Sequence, residues 1–153
     1  RVENKPGVLA RVAGLFARRG FNIVSLAVAP TENILFSRLT IVVDAESAPL
    51  EQVVKQLDKL INVVGIQELA PTESVARELL LATVQVNDGQ EDRVMKNIEN
   101  FEANILNVGP QKIMVSLSGD VNQVDKFEAS LEEFGIIEIQ RTGTIALASI
   151  SSS

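Results

Sequence analysis

Near the start of the chain, Asn4-Lys5-Pro6-Gly7 brings together the groups needed to hold a carboxylate. A helix opening at Pro6 leaves its first amides without intrahelical acceptors, and those amides carry the positive end of the helix dipole. Pro6 has no N–H to leave unsatisfied and is preset for a first helical turn, while Gly7 has no side chain to keep a ligand from the backbone. The Asn4 side chain adds one donor group and one acceptor within reach. An ordinary strand-to-helix turn has the same spacing, so residue types alone leave both readings open.

Little other chemistry is available. The 153 residues contain no Cys, His, Tyr or Trp. Without His the chain lacks the commonest general base near neutral pH and the commonest transition-metal ligand, which excludes His-based triads and zinc sites. The absence of Cys excludes disulfides and thiolates and suits a reducing compartment. No cofactor and no catalytic residue are expected. The acidic pairs Glu91-Asp92 and Glu132-Glu133 read as solvated helix termini rather than metal ligands, since no ligand-rich motif accompanies them. Arg18 and Arg19 suit the end of a helix, with a partner contact as the alternative. A net charge of −6, from 14 basic and 20 acidic residues, argues against nucleic acid. No uncharged apolar run reaches the roughly 18 residues of a membrane helix, so no membrane contact is expected and a cytoplasmic protein is the expectation.

The elements that position the turn follow from hydrophobic period. The first helix is predicted over Pro6–Arg19, with Val8, Leu9, Val12, Leu15 and Phe16 on one stripe and Gly20 as a left-handed cap. A strand follows over Asn22–Ala29, with Ile23, Ser25, Ala27 and Ala29 on one face and Val24, Leu26 and Val28 on the other. Pro30–Asn33 turn the chain into a strand over Leu35–Val43, where Leu39, Ile41 and Val43 oppose Phe36, Arg38, Thr40 and Val42. From Pro49 the period returns to 3.6, with Leu50, Val53, Val54, Leu57, Leu60 and Ile61 as the stripe. Val63, Val64 and Ile66 start another strand.

After Pro71–Ser74, which reads as a linker, the order repeats: strand Glu78–Val86, helix Glu91–Phe101, strand Asn104–Val108, strand Ile113–Leu117, helix Val121–Phe134 and strand Ile136–Leu147. Ser149–Ser153 read as a disordered tail. The expected fold is therefore α+β, two consecutive ferredoxin-like βαββαβ domains at 1–70 and 75–148 with the first strand truncated to Arg1–Glu3. Each sheet leaves a face and two edges uncovered, and units of about 70 residues have marginal cores, which predicts a homodimer.

The run Glu3 to Phe16, continued by Arg18-Arg19-Gly20-Phe21-Asn22-Ile23 and Ser25-Leu26, resembles an ACT domain. More narrowly it resembles the regulatory (small) subunit of acetolactate synthase, also called acetohydroxyacid synthase. Thr40–Val43, Glu51–Leu57, Lys59–Val63, Arg77-Glu78-Leu79 and Arg141-Thr142-Gly143 extend the likeness over nearly the whole chain. ACT turns alone are weakly specific, but these blocks in this order are not. The resemblance implies a non-catalytic protein that binds the thiamine-diphosphate-dependent catalytic (large) subunit and raises its activity. It also implies feedback inhibition by valine, leucine or isoleucine bound between two ACT domains. Asn4, Gly7, Val8 and Leu9 of one chain, with Asn22 and Ile23 of its partner, would hold the effector, and Ala29 matches a position tied to feedback sensitivity. The chemistry agrees: helix amides suit the carboxylate, Asn and carbonyl oxygens the ammonium, and Val8, Leu9 and Ile23 the side chain.

The alternatives are weaker. A stand-alone ACT sensor of another amino-acid enzyme accounts for residues 1–70 but not the second unit. An RNA-binding module needs basic patches and exposed aromatics. An acylphosphatase-like enzyme needs an Arg within the turn, which is lacking here.

Overall fold

The computed structural model describes residues 1–47 and 49–150, and they divide into two compact units. The first comprises Arg1–Val75 and the chain from Thr144 onward, the second Ala76–Gly143. Of the expected tail, 151–153 lie outside the described residues, while Ser149 donates its N–H to Glu73 O at 2.9 Å.

In the first unit, β1 (Val2–Glu3), α1 (Val8–Arg19), β2 (Ile23–Pro30), β3 (Phe36–Val43) and α2 (Leu50–Asp58) follow in order. The three strands form an antiparallel sheet in the order β1-β3-β2, so β2 is an edge. Helix α1 begins at Val8, two residues later than its periodicity suggests, because Gly7 takes φ 84° and serves as the cap rather than as a helical residue. It ends as expected. Gly20 is left-handed at φ 69°, its N–H donates to Ala17 O, and the Phe21 N–H donates to Phe16 O. This is the paired bonding of a Schellman ending, and the Phe16 and Phe21 rings meet edge-on at 5.9 Å to complete it.

One expectation about β2 fails for a local reason. A β-bulge between Ile23 and Ser25 places Ile23 opposite Val43 and Ser25 opposite Val42. The extra residue, Val24, reverses the alternation, so Ile23 packs with Leu39, Ile41 and Val43 against Val12, Phe16 and Val53. Ile23 thus lies on the face opposite to Ser25, Ala27 and Ala29. Helix α2 stops at Asp58, which leaves Ile61 88% exposed instead of on its stripe. The strand expected from Val63 is reduced to a single bridge, Val63 to Val2, supported by the Glu3 N–H donating to Asn62 O.

The second unit repeats the topology. Strand β4 (Ser74–Gln85), α3 (Glu91–Asn100), β5 (Asn104–Gly109), β6 (Lys112–Gly119), α4 (Val121–Leu131) and β7 (Ile136–Arg141) give the sheet order β5-β6-β4-β7, all antiparallel. The segment that reads as a short linker has regular structure: Pro71–Glu73 form a short 3-10 turn and Ser74 already belongs to β4. The expected last strand is two: after β7, left-handed Gly143 at φ 80° breaks the run, and β8 (Ile145–Ala148) follows as part of the first unit. Leu80, Val84, Val94, Val115, Val124, Phe127 and Leu131 are all but inaccessible and make a continuous core. Burial of each contributes about 1.5–3 kcal/mol. Helix α4 opens on a full capping box, with Gln123 N–H donating to Asp120 Oδ1 and Asp120 N–H donating to Gln123 Oε1.

Candidate effector site

Strand β1 is short, yet Asn4 is held firmly at its end. Its N–H donates to Leu35 O and its side-chain Nδ2 donates to Ile34 O, both at 2.8 Å. One amide hydrogen of Asn4 is thereby used, and its Oδ1 remains an acceptor. Glu3 and Lys5 pair across the turn at 2.7 Å, and the Lys5 hydrogen bond holds the Glu3 carboxyl below its ordinary pKa. Arg11 donates to Asn62 Oδ1 at 2.6 Å, tying the solvent side of α1 to the chain beside β1.

At the head of α1, the Val8 N–H turns back to Lys5 O at 3.4 Å. Among the described residues no side chain caps the helix, and its first turn has no acidic residue. Among the same residues, the N–H groups of Gly7, Leu9 and Ala10 have no protein acceptor, and all three residues are exposed. A Cβ placed on Gly7 would meet nothing within 4 Å. The result is open, outward-directed amides at a positive dipole end. Val8 is buried beneath them at 4% exposure, while Leu9 stands 43% exposed beside them.

The second unit shows what a closed version looks like. Gly89, at φ 86°, is the left-handed residue ahead of α3, one position before its Gln90 cap, and its N–H donates to Glu91 Oε2 at 2.9 Å. Glu91 and Asp92 also place carboxylates in that first turn. The first unit leaves unfilled the position that Glu91 fills in the second.

The structure brings together Asn4, Gly7, Val8 and Leu9 but not Asn22 and Ile23. Ile23 begins β2 and Asn22 directly precedes it, beyond the other end of α1, and twelve helical residues span about 18 Å. Asn22 is exposed there, with its N–H donating to Ser47 Oγ and its carbonyl accepting from Asp44 N–H. Ala29 lies at the opposite end of β2, exposed and across from Arg38, one residue before the Pro30–Ser37 pair. Since Ser37 also pairs with Val2, Ala29 sits on the Asn4 side of the sheet.

Two residues at this site escape a reading of the sequence. Ile34 and Leu35, 74% and 67% exposed, occupy the β2–β3 turn that Asn4 clamps. Two large apolar residues directly after Thr31-Glu32-Asn33, ahead of the strand's alternation, are the signal that could have flagged them.

Comparisons with known proteins agree with this layout. Residues 1–65 match the family model described as AHAS small subunit-like ACT domain, and residues 77–150 match that of the small subunit of acetolactate synthase. The chain is 50% identical over 147 residues to an acetolactate synthase small subunit from Mycobacterium bovis, covering 96% of this chain and 88% of the relative. It is 44% identical over 146 residues to a probable acetolactate synthase small subunit from Archaeoglobus fulgidus, covering 95% and 91%. The crystal structure of the acetolactate synthase small subunit from Thermotoga maritima superposes with a TM-score of 0.87 at 36% identity, over 99% of this chain and 94% of that one. Open helix amides before a glycine-capped α1, a repeated βαββαβ-like order and sequence likeness along nearly the full length thus converge: the chain belongs to the family of acetolactate synthase small subunits.

Proposed function

We propose that this chain is the non-catalytic regulatory subunit that activates the thiamine-diphosphate-dependent catalytic subunit of a cytoplasmic acetolactate synthase. In the same reading it confers feedback inhibition by valine, leucine or isoleucine, with residues 1–70 as sensor and 75–148 as a second regulatory domain. The observation that carries the reading is the head of α1, where amides of Gly7, Leu9 and Ala10 are free to take a carboxylate beside Asn4 Oδ1. Val8, Leu9 and the neighbouring Ile34 and Leu35 supply apolar surface for a branched side chain.

The other half of the site comes from a second copy. Strand β2 is an uncharged edge of eight residues, Ile23–Pro30, a length and composition that invite pairing. Antiparallel pairing of two β2 edges about a two-fold axis sets the start of one strand beside the end of the other. The partner's Asn22 and Ile23 then lie next to this chain's Ala29, on the side where Asn4 and Gly7 wait. Residues about 18 Å apart in one chain thus become neighbours across the dimer. Effector binding stabilises the paired arrangement, and a coupling of ~1–3 kcal/mol is enough to shift the activity of a bound catalytic subunit.

Two experiments test this. Mixing the chain with its cognate catalytic subunit is expected to raise acetolactate formation, and titrating the three branched-chain amino acids is expected to lower it again with at least one of them. Unchanged acetolactate formation in every arm would sink the assignment. Separately, Ala27→Lys puts like charges near the proposed two-fold axis, and light scattering should report a shift from dimer to monomer. A variant that stays dimeric at the same concentration would move the interface elsewhere.

A further inference from the structure

The second unit contains a groove of about 360 Å³ at the position that corresponds to the effector site of the first. In each unit this place lies between the head of the first helix and the far end of the strand that follows it. Strand β5 is the counterpart of β2: both are sheet edges without a charged residue, and both are bulged near their start, at Ile105/Asn107 and Ile23/Ser25. The floor of the groove is Val94 and Ile113, 2% and 6% exposed, and its walls are Met95, Ile105 and Val108, all of which face solvent. Its volume lies at the small end of the range for ligand pockets. The exposed apolar walls are costly to leave in water and would be covered by an apolar body.

The polar groups around this groove differ from those of the first site. Asp88 and Glu91 stand on the side of the α3 head, and Lys112 stands on the β6 side, its methylenes lying over Gly109. Glu91 already accepts the Gly89 N–H, so the backbone amide that would meet a carboxylate is taken. A ligand carboxylate is directed instead to Lys112, and a ligand ammonium to Asp88 and Glu91. The geometry points to a second amino-acid site, contained within the second unit, that takes a free amino acid with an apolar side chain through side-chain charges rather than helix amides. It does not depend on the effector site of the first unit. An open groove with solvated charges binds weakly, with a dissociation constant in the millimolar range.

The chain's two methionines make the test direct. Met95 lines the groove, while Met114 pairs with Thr83 and Asn107 on the sheet face away from the helices. With the full chain labelled at the methionine methyl carbons, L-leucine is expected to move the Met95 signal saturably and leave Met114 in place. Glycine should move neither. Valinamide and isovalerate, each lacking one charge, should bind about fivefold more weakly than valine, as should valine to a Lys112→Met variant. The same Met95 shift should persist in Gly7→Asp, whose first site is blocked. A Met95 signal that does not respond to leucine or valine up to their solubility, or that responds only when Gly7 is intact, would overturn the proposal.

Discussion

Gly7→Asp is expected to abolish feedback by the branched-chain effector while activation of the catalytic subunit persists. The new carboxylate would sit among the amides to which the proposed site assigns the effector carboxylate. Two like charges about 4 Å apart near a protein surface repel by roughly 4 kcal/mol before screening, so a loss of at least about a hundredfold in affinity follows. The fold should tolerate the change. A Cβ on Gly7 meets nothing within 4 Å, and the left-handed φ of 84° costs about 1–2 kcal/mol for a side chain, least for Asp and Asn. Gly7→Ala carries the same backbone strain without the charge. It should lose less than about tenfold, since the strain is shared by free and bound states. Calorimetric titration of valine into both variants separates the two effects, and equal affinities for the Asp and Ala variants would refute the placement of the carboxylate at Gly7.

Arg141→Ala should produce the largest loss of stability. Arg141 is bidentate to Glu78, with Nε and Nη2 each donating at 3.0 Å, and it also meets Asp125 at 2.8 Å and Glu128 at 2.7 Å. Glu78 is buried at 7% exposure, and its bonds to Arg141 lead the causes that hold the guanidinium pKa above its ordinary value. Raised in the fold, that pKa contributes stability at every pH below the ordinary arginine value, so the pairing is fully present at neutral pH. Removing the cation leaves a buried carboxylate beside two further acids, a change that costs about 3–5 kcal/mol in buried pairs and nearer the lower end here, since Arg141 is 26% exposed. Asp125→Asn should cost under about 1 kcal/mol, because Asp125 is 56% exposed. Chemical denaturation at neutral pH checks both, and an Arg141→Ala deficit under about 1 kcal/mol would show that the network is not what stabilises this edge of the second unit.

Arg77-Glu78-Leu79 and Arg141-Thr142-Gly143 stand out in the sequence only as matching blocks. Folding supplies their meaning. Glu78 and Arg141 are 63 residues apart and become partners because β4 and β7 pair in the register that sets Leu80 opposite Arg141. Thr142 extends the same ladder, donating its N–H to Leu79 O and accepting the Leu79 N–H on its hydroxyl.

Other features are legible from local chemistry. The apolar stripe of α1, its ending at Gly20 and the repeated order of helices and strands rest on contacts within a few residues, which sequence reports directly. The absence of His and Cys by itself removes whole classes of chemistry. The turn into α1 is legible as a helix start because Pro and Gly ahead of a helix fix backbone geometry locally. What sequence could not show is set by pairing at a distance. The bulge at Val24 turns Ile23 toward the core, although alternation groups it with Ala29. The strand at Val63 shrinks to one bridge because β1 offers only two paired residues. The length of α1 carries Asn22 away from Asn4, so residues adjacent in a functional reading are separated within the chain. Period and capping are fixed by neighbours in sequence, whereas register, burial and the two ends of a helix are fixed by which distant segments pack together. Sequence therefore determined the chemical character of the α1 head, and only the tertiary structure decided that Asn4 and Asn22 stand at opposite ends of α1 within one chain.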